Sequence, residues 1–402
     1  MRTSNFSRNY DVVVVGGGVA GVAAALAAAR AGHETALVEK TILPGGLATS
    51  GLVTSYTALC DGMGRQVTFG LAEKLLHASL KYGPGHVSEH WREPEEKHGA
   101  RRYTAHFCAG SFVLALDELL EEAGVDIWFD TLFCDALLEG DRLAAIEVEN
   151  KSGRGRLRAA CFVDATGDAD VAHRAGAPCV ESDNWLSLWA MEASLDAAAD
   201  AVEKGSAAAL NRAVRVGASN TGEGHPDGMR KFSGTDGREV SEFVLAGRRL
   251  LREHYQRKQA DVGRDGAFPI TLPSMAQFRT TRRIDGQVTL EDGMHTGSFD
   301  DVVGLVANWW RPGEVWQVSF GTLLPRKVRG LLAAGRCTSC EGEAWEVMRV
   351  IHAVAHTGEI AGTAAALAVQ EGTMPDALDL AHLRDRLRGQ SFLFDYEEAT
   401  RE

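Results

Sequence analysis

The stretch DVVVVGGGVAGVAAALAAARAGHETALVEK, residues 11–40, constrains the fold more than any other part of the chain. Its valines, 12–15, form a continuous β-branched run, which is typical of a strand buried on both faces of a parallel sheet. The alanine-rich segment from about Val19 to Ala31 predicts a helix that ends before Gly32. TALVE (35–39) predicts a second strand, so the stretch forms one βαβ unit.

The turn between the first strand and the helix fits the pattern G-x-G-x-x-G. Gly16 makes a tight turn, Gly18 lets the backbone approach a pyrophosphate, and Gly21 lets the helix pack closely on the strand. Glu39 ends the second strand, where its carboxylate can accept a hydrogen bond from a ribose hydroxyl. We interpret the unit as a dinucleotide site that disfavours the 2′-phosphate of NADP; a purely structural glycine-rich turn is the alternative.

Charge and length limit the classes of partner. The chain has 402 residues, with 42 Lys and Arg against 55 Asp and Glu, and a formal net charge of -13. Nucleic acids and anionic membranes need a basic face, so we expect neither as a partner. No run reaches the roughly 18 apolar residues of a membrane span. The polar start and the odd number of cysteines, 7 in all, predict a cytoplasmic protein with free thiols.

The order of predicted elements indicates an α/β fold with an insertion. A helix over 111–124 precedes two strands around Gly140–Asp141 and a buried strand that ends at Asp164. The composition then changes, with tryptophans and polar loops, before a strand and a long alanine-rich helix return within 328–372. We predict a discontinuous Rossmann-type domain over 1–180 and 320–375, an inserted α+β substrate domain over 181–319, and a C-terminal helical tail over 376–402.

Three further stretches, with the opening unit, carry a family resemblance: PGGLATSGLV (44–53), VDATGDADVAHRAGAP (163–178), and LLAAGRCTS followed by MRVIHAVAHTGEIAGTAAALA (331–368). In this order they resemble FAD-dependent oxidoreductases of the glutathione-reductase-like flavoprotein superfamily, and among these the soluble relatives of the fumarate-reductase flavoprotein subunit. The resemblance implies FAD as the cofactor. The binding is expected to be noncovalent, because TILPGGLATSGLV (41–53) contains no histidine for a covalent link.

The resemblance also implies a set of flavin-binding residues. Glycines after the second strand would lie along the pyrophosphate and the flavin ring. A helix that begins near Val350 would aim its N-terminus at the N1–C2=O edge of the flavin and favour its reduction. The implied cofactor-binding residues are Gly16, Gly18, Val19, Ala20, Gly21, Glu39, Lys40, Gly45, Gly46, Leu47, Ala48, Thr49, Ala165, Gly167, Gly335, Arg336, Val350 and Ala353.

Two candidate catalytic residues lie at the start of this last helix. Arg349 could bind a substrate carboxylate or the flavin C2=O, with a salt bridge to Glu343 or Glu346 as the alternative. His352 stands where relatives commonly have proline. Beside the flavin edge it could donate or accept a proton near neutral pH, whereas a packing histidine is the alternative.

Arg282 is the third candidate catalytic residue. It belongs to FRTTRRIDG (278–286), whose arginines could line the cleft and hold an acidic substrate, or could form a solvated basic face with one structural arginine. The tryptophans at 309, 310 and 316 could wall an aromatic or apolar pocket, or simply belong to the core.

Cys337-x-x-Cys340 raises the question of a redox-active dithiol. Flavoproteins with such a pair carry it early in the chain, near the first glycine motif, so we expect no redox role here. No second C-x-x-C pair accompanies it, so we expect no metal either.

These observations predict an FAD-dependent oxidoreductase that transfers a hydride between flavin N5 and a small organic substrate, with acidic or aromatic molecules as candidates. A non-redox enzyme, such as an isomerase or a thiazole-synthase-like protein, is one alternative, and a non-catalytic FAD-binding protein is another. No second G-x-G-x-x-G lies in 130–330, so we expect slow direct reduction by NADPH. The substrate, the direction of transfer and the oligomeric state stay open.

Overall fold

A computed structural model describes residues 5–87, 89–93 and 102–399. Its strands, in chain order, are β1 (Phe6–Val15), β2 (Thr35–Val38), β3 (Ser55–Tyr56), β4 (Ala105–His106), β5 (Asp126–Trp128), β6 (Leu132–Glu139), β7 (Arg142–Asn150), β8 (Gly153–Asp164), β9 (Cys179–Glu181), β10 (Ser187–Ser194), β11 (Arg212–Gly217), β12 (Ala267–Thr271), β13 (Arg282–Ile284), β14 (Val302–Ala307), β15 (Val315–Ser319) and β16 (Leu331–Ala333). Its α-helices are α1 (Val19–Arg30), α2 (Leu71–Leu80), α3 (Ala109–Glu122), α4 (Asp170–Arg174), α5 (Leu195–Lys204), α6 (Gly237–Val262), α7 (Gly342–Met348), α8 (Ile351–Glu371) and α9 (Leu380–Arg388).

The main sheet is mixed and has the strand order β5-β2-β1-β8-β7-β6, with β16 also paired to β8. β1 runs parallel to both β2 and β8, so Val13 lies beside Ala36 on one side and Phe162 on the other. Val12 to Val15 are buried, as the β-branched run predicts. The predicted α/β fold class is confirmed, and so are the opening βαβ unit and the strand that ends at Asp164.

The helices α1 and α8 pack against each other through small residues. A Cβ on Gly358 would lie 2.2 Å from the carbonyl oxygen of Ala20, and one on Gly362 would lie 2.2 Å from that of Ala24. Because these contacts advance in the same direction along both helices, α1 and α8 run parallel. Their N-termini therefore lie at the same end of the helix pair, close to the carboxyl ends of β1 and β8.

A smaller sheet, of order β11-β10-β12, lies in the middle of the chain and packs against α6. Leu188 and Ala190 of β10 form a buried cluster with Leu251 and Tyr255 of α6. Trp189, between them in sequence, points to the opposite face, because side chains alternate along a strand. The division into two domains at 180 and 320 stays a prediction.

Other features of the chain also bear on the sequence-based expectations. All seven cysteines are free thiols. Within the described ranges, no helix combines the length and the apolar composition that a membrane crossing requires. The short helix α7 was not predicted from the sequence; it precedes α8 directly and ends one residue before Arg349.

Candidate functional site

A cavity of about 560 Å³ lies outside the carboxyl ends of the parallel strands β1, β2 and β8. Parallel α/β sheets bind ligands at this edge, where the helix N-termini also meet. Most of the predicted site residues line this cavity: Gly16, Gly18, Val19, Ala20, Glu39, Lys40, Gly45, Gly46, Leu47, Ala48, Ala165, Gly167, Gly335, Arg336, Arg349 and Val350. Gly21, Thr49, Arg282, His352 and Ala353 are not part of its lining.

The glycine side of the cavity, which we define as Gly16, Gly18, Glu39, Gly45 and Gly167, is built from tight turns. Gly16 has a φ of +101°, and a Cβ there would lie 2.4 Å from the carbonyl oxygen of Ala165. Only glycine fits this position. In contrast, a Cβ on Gly18 would meet no protein atom within 4 Å, because Gly18 faces the open cavity.

Glu39 is buried and holds two turns of the glycine side together. Its carboxylate accepts one hydrogen bond from the backbone N–H of Gly17 and another from that of Thr41, both at 2.7 Å. Each carboxylate oxygen has a second lone pair, so Glu39 can still accept hydrogen bonds from a ligand in the cavity. This geometry suits the ribose contact that the sequence predicts.

Two of the predicted residues outside the lining support the glycine side from behind. A Cβ on Gly21 would lie 1.8 Å from the carbonyl oxygen of Gly16, so Gly21 permits the close packing of α1 on β1. The hydroxyl of Thr49 donates a hydrogen bond to the carbonyl oxygen of Pro44 at 2.6 Å and closes the loop that contains Gly45. Ala353 is buried within α8.

The Cys337 thiol shapes the loop that presents Gly167 to the cavity. Its Sγ atom accepts hydrogen bonds from the backbone N–H groups of Gly167 and Ala169, both at 3.2 Å. Burial raises the pKa of Cys337 well above its usual value, and burial raises the pKa of Cys340 to about 12. Both groups are therefore protonated thiols at neutral pH, and neither forms a disulfide. The absence of a redox role stays a prediction.

The arginine side of the cavity, which we define as Trp189, Arg215, Arg279, Trp309 and Arg349, comes from distant parts of the chain. Trp189 of β10 pairs with Arg215 of β11 in the antiparallel register, so both side chains share one face of the small sheet. The side-chain oxygen of Gln277 accepts a hydrogen bond from the backbone N–H of Trp189 at 2.9 Å. Its side-chain nitrogen donates one to the carbonyl oxygen of Gly51 at 2.6 Å. Gln277 thereby ties the small sheet to the loop that follows Gly46.

Arg349 lines the cavity and forms an ion pair with Glu346, one of the two salt-bridge partners considered from the sequence. The Nε atom of Arg349 is buried without a hydrogen-bond partner among the described residues. Ser50 also lines the cavity, and its buried hydroxyl has no hydrogen-bond partner among the described residues either. Unpaired buried donors at a cavity wall can be satisfied by a bound ligand or by water.

Arg282 lies in β13 directly behind the cavity wall: it is not part of the lining, but its partner Asp170 is. Its guanidinium donates hydrogen bonds to the carbonyl oxygen of Asp168 at 2.9 Å and to the carboxylate of Asp170 at 2.7 Å. A carboxylate oxygen of Glu181 lies 3.6 Å away. The structure therefore places Arg282 in a network that braces the loop after β8. Its neighbour Arg279 reaches the cavity instead.

His352 is fully buried in the first turn of α8 and is not part of the cavity lining, whereas its hydrogen-bond partner Thr57 is. Its Nε2 atom lies 3.3 Å from the carbonyl oxygen of Ala307, and its Nδ1 atom lies 3.0 Å from the hydroxyl of Thr57. Burial lowers the pKa of His352 to about 3, so the ring is neutral. Nε2–H then donates to Ala307, and Nδ1 accepts from the Thr57 hydroxyl. A direct catalytic role for His352 stays a prediction.

Four residues of the cavity were not predicted from the sequence as site residues: Thr57, Gln277, Arg279 and Arg215. Arg279 carried a signal, because FRTTRRIDG contains three arginines, but spacing alone did not tell which one reaches the cavity. Trp189 and Arg215 become neighbours only through the strand register of the small sheet. Nothing in the sequence near either residue predicts that register.

The residues of the cavity fit FAD. Gly18 leaves the cavity open where a pyrophosphate would lie, and the N-termini of α1 and α8 supply backbone N–H groups and positive dipoles. Glu39 suits a ribose, and Ser50 and Arg349 leave donors unpaired. These features match what a long, doubly anionic dinucleotide requires.

Comparison with known proteins supports the same cofactor. The family described as FAD dependent oxidoreductase matches residues 11–189 and 189–387. The tRNA uridine 5-carboxymethylaminomethyl modification enzyme MnmG of Lactococcus lactis subsp. lactis (strain IL1403) is 45% identical over 73 residues, which cover 16% of this chain and only 12% of that protein.

Similarity to solved structures is low. A geranylgeranyl bacteriochlorophyll reductase-like protein (Ta0516) from Thermoplasma acidophilum has a TM-score of 0.43 and 15% identity, over 96% of this chain and 84% of that one. Mycobacterium smegmatis Sdh1 in complex with UQ1 also has a TM-score of 0.43, with 17% identity, over 95% of this chain and 72% of that one. The family match, which spans both halves of the chain, is the finding that identifies it: the protein belongs to the FAD dependent oxidoreductase family and is an FAD-dependent redox enzyme.

Proposed function

We propose that the cavity binds FAD noncovalently, with the ADP half on the glycine side and the flavin ring toward the N-terminus of α8. The observation that carries this proposal is the contrast between two glycines of one motif. Gly16 is required by the protein's own packing, whereas Gly18 leaves space that no protein atom fills. A glycine whose missing side chain would point into an open cavity is typical of a position where a ligand approaches the backbone closely.

We further propose that the protein oxidises or reduces a small organic molecule on the arginine side. FAD, when bound, supplies hydride transfer at its N5 atom. The protein would orient the substrate with the arginines and exclude water with Trp189 and Trp309. The N-terminal dipole of α8 would stabilise negative charge nearby, since the first turn of α8 contains no acidic residue.

Thr57 has a defined orientation in this proposal. Because its hydroxyl donates to His352 Nδ1, the Thr57 oxygen keeps its lone pairs as acceptors, and Thr57 lines the cavity. Thr57 can therefore accept a hydrogen bond from a ligand donor beside the start of α8. His352 would act as a positioning residue that fixes this hydroxyl. The finer likeness to the fumarate-reductase flavoprotein subunit stays a prediction, and no feature of the described residues favours the non-redox or non-catalytic alternatives.

The experiment that tests the proposal starts with the purified protein. We expect a yellow protein that releases FAD into the supernatant on acid precipitation; a yellow pellet would contradict noncovalent binding. The holoenzyme is then mixed anaerobically with small acids, alcohols and amines, and flavin bleaching is followed by absorbance. Bleaching by an organic substrate, with only slow bleaching by NADPH or NADH, is the predicted result. Protein without flavin, or fast saturable bleaching by NADPH alone, would overturn it.

A further inference from the structure

The arginine side holds more positive charge than its neighbouring side chains neutralise. Arg279 and Arg215 form no ion pair within the part of the chain that the structure describes, and Arg349 has one partner, Glu346. The guanidinium of Arg279 donates a hydrogen bond to a neutral acceptor, the carbonyl oxygen of Ser219, at 2.9 Å. Three cations therefore share one carboxylate on this side of the cavity.

The arginines also act on one another. Burial, and then the nearby charge of Arg349, lowers the pKa of Arg279 to about 10, so Arg279 is still charged at neutral pH. Like charges in a partly buried site raise the free energy of the folded protein unless a counter-charge joins them. An anion placed between these groups would remove that repulsion.

The backbone around Arg279 is fixed on both sides, so its side chain is presented from a rigid support. The N–H groups of Arg279 and Thr280 donate to the side-chain oxygen of Asn184 at 2.8 Å and 3.1 Å. The carbonyl oxygen of Phe278 accepts a hydrogen bond from Arg336 at 2.6 Å. A preorganised guanidinium loses little entropy when it binds a carboxylate in a bidentate manner.

Two aromatic rings border the same space. Trp189 and Trp309 both line the cavity, and the indole N–H of Trp309 donates to the carbonyl oxygen of Glu346 at 3.3 Å. This hydrogen bond fixes the Trp309 ring beside the residue that pairs with Arg349. Rigid indole faces next to cationic groups suit a ligand with an anionic head and an apolar or planar body.

We propose that the arginine side binds an organic carboxylate, held by Arg279 and Arg349 with its body against Trp189 and Trp309. Arg215 adds long-range attraction from the rim of the small sheet. This inference rests on the proposed function, because it names the chemical class of the substrate that would meet the flavin. A phosphate of FAD is the other anion that Arg279 could hold, and the experiment separates the two.

The test measures binding to the holoenzyme by isothermal titration calorimetry. The probes are matched pairs, benzoate with benzamide and indole-3-acetate with indole-3-acetamide, which differ in charge but hardly in shape. We expect the carboxylate of at least one pair to bind at least ~10-fold more tightly than its amide, since a charge-assisted bidentate contact is lost in the amide. Equal binding within both pairs, or no binding of either carboxylate, would overturn the inference.

Two variants test whether Arg279 causes the preference for a carboxylate over its amide. Arg279→Gln should abolish the preference for the carboxylate and keep the flavin content of the wild type. Arg212→Gln removes a positive charge from the same strand as Arg215, outside the cavity lining, and should leave the preference unchanged. Loss of FAD from Arg279→Gln would assign this arginine to the cofactor and overturn the inference. A wild-type protein that binds no flavin would instead refute the proposed function.

If Arg279→Gln does not fold, the comparison between carboxylate and amide on the wild-type holoenzyme still decides the question.

Discussion

The two sides of the cavity differ in how the chain builds them. The glycine side comes mainly from short turns that follow the parallel strands of the main sheet, and its contacts are largely between backbone groups. The arginine side gathers side chains from a small antiparallel sheet, a loop and the segment before α8. We infer that cofactor binding depends on local backbone geometry, whereas substrate selection depends on side chains that only the tertiary structure brings together.

The largest loss of cofactor binding is expected when a side chain fills the space in front of Gly18. The Cβ of Gly18→Val would meet no protein atom within 4 Å, and the φ of -63° is one that valine accepts. The fold should therefore survive while FAD is displaced. We expect the dissociation constant for FAD to rise at least ~100-fold, equivalent to about 3 kcal/mol of overpacking.

The matched control is Gly110→Val, at the start of α3, where an added Cβ also meets no atom within 4 Å but the site is not part of the cavity. This variant should keep its flavin. Titration of the apoprotein with FAD measures both constants. Unchanged affinity in Gly18→Val would show that the glycine side does not hold the pyrophosphate.

A second variant tests the hydrogen bond between His352 and Thr57 at the start of α8. His352→Ala removes the acceptor of the Thr57 hydroxyl, so we expect turnover to fall ~10-fold, the value of about one hydrogen bond. His352→Asn, which keeps an acceptor near the position of Nδ1, should recover part of the loss.

The pH dependence distinguishes positioning from proton transfer. Burial lowers the pKa of His352 to about 3, so the ring stays neutral between pH 5 and 9 and should contribute no ionisation to the rate profile there. This result differs from the sequence-based expectation of a histidine that titrates near neutral pH. A step near pH 6.5 in the wild-type profile that disappears in His352→Ala would restore the proton-transfer role.

A smaller effect is expected on folding stability, through a buried carboxyl group in the packing behind the cavity. Glu359 of α8 is buried, accepts a hydrogen bond from the Leu71 N–H at 2.6 Å, and has its pKa raised to about 8 by burial. Between pH ~4.5 and 8 the folded state holds a proton that the unfolded state releases. Stability should therefore fall as pH rises through this window and level off above pH 8.

Glu359→Gln keeps the acceptor without the charge. We expect its melting temperature to equal that of the wild type near pH 5 and to exceed it by about 1–3 °C at pH 8.5. Calorimetry at the two pH values measures the difference. A variant that is less stable than the wild type at pH 8.5 would show that burial does not destabilise the ionised Glu359 carboxylate, and it would contradict the raised pKa.

The same contrast explains how much could be predicted from the sequence. The glycine side was predictable because its motif is local: Gly16, Gly18 and Glu39 follow strands that hydrophobic patterning identifies. Gly335 and Val350 came from family resemblance and also line the cavity. The α/β fold followed from the order of strands and helices.

The arginine side was predictable only in part. The stretch FRTTRRIDG predicted that an arginine lines the cleft but did not show which one. Arg279 and Arg282 are only three residues apart, yet their side chains have different partners. Arg282 donates hydrogen bonds to Asp168 and Asp170, whereas Arg279 lines the cavity. His352 was noticed for its residue type, but burial decides its chemistry, and burial depends on how α8 packs against Ala307 and Thr57.

A crystal structure of the yellow holoprotein would show whether the two sides of the cavity hold different molecules. We predict that a ribose hydroxyl of the adenosine half lies within about 2.6–3.2 Å of the Glu39 carboxylate and that the pyrophosphate passes Gly18. We also predict that the flavin ring lies near the start of α8, between the glycine side and the arginine side. Adenosine bound beside Arg279 and Trp309, with Glu39 contacting no part of the nucleotide, would contradict this arrangement.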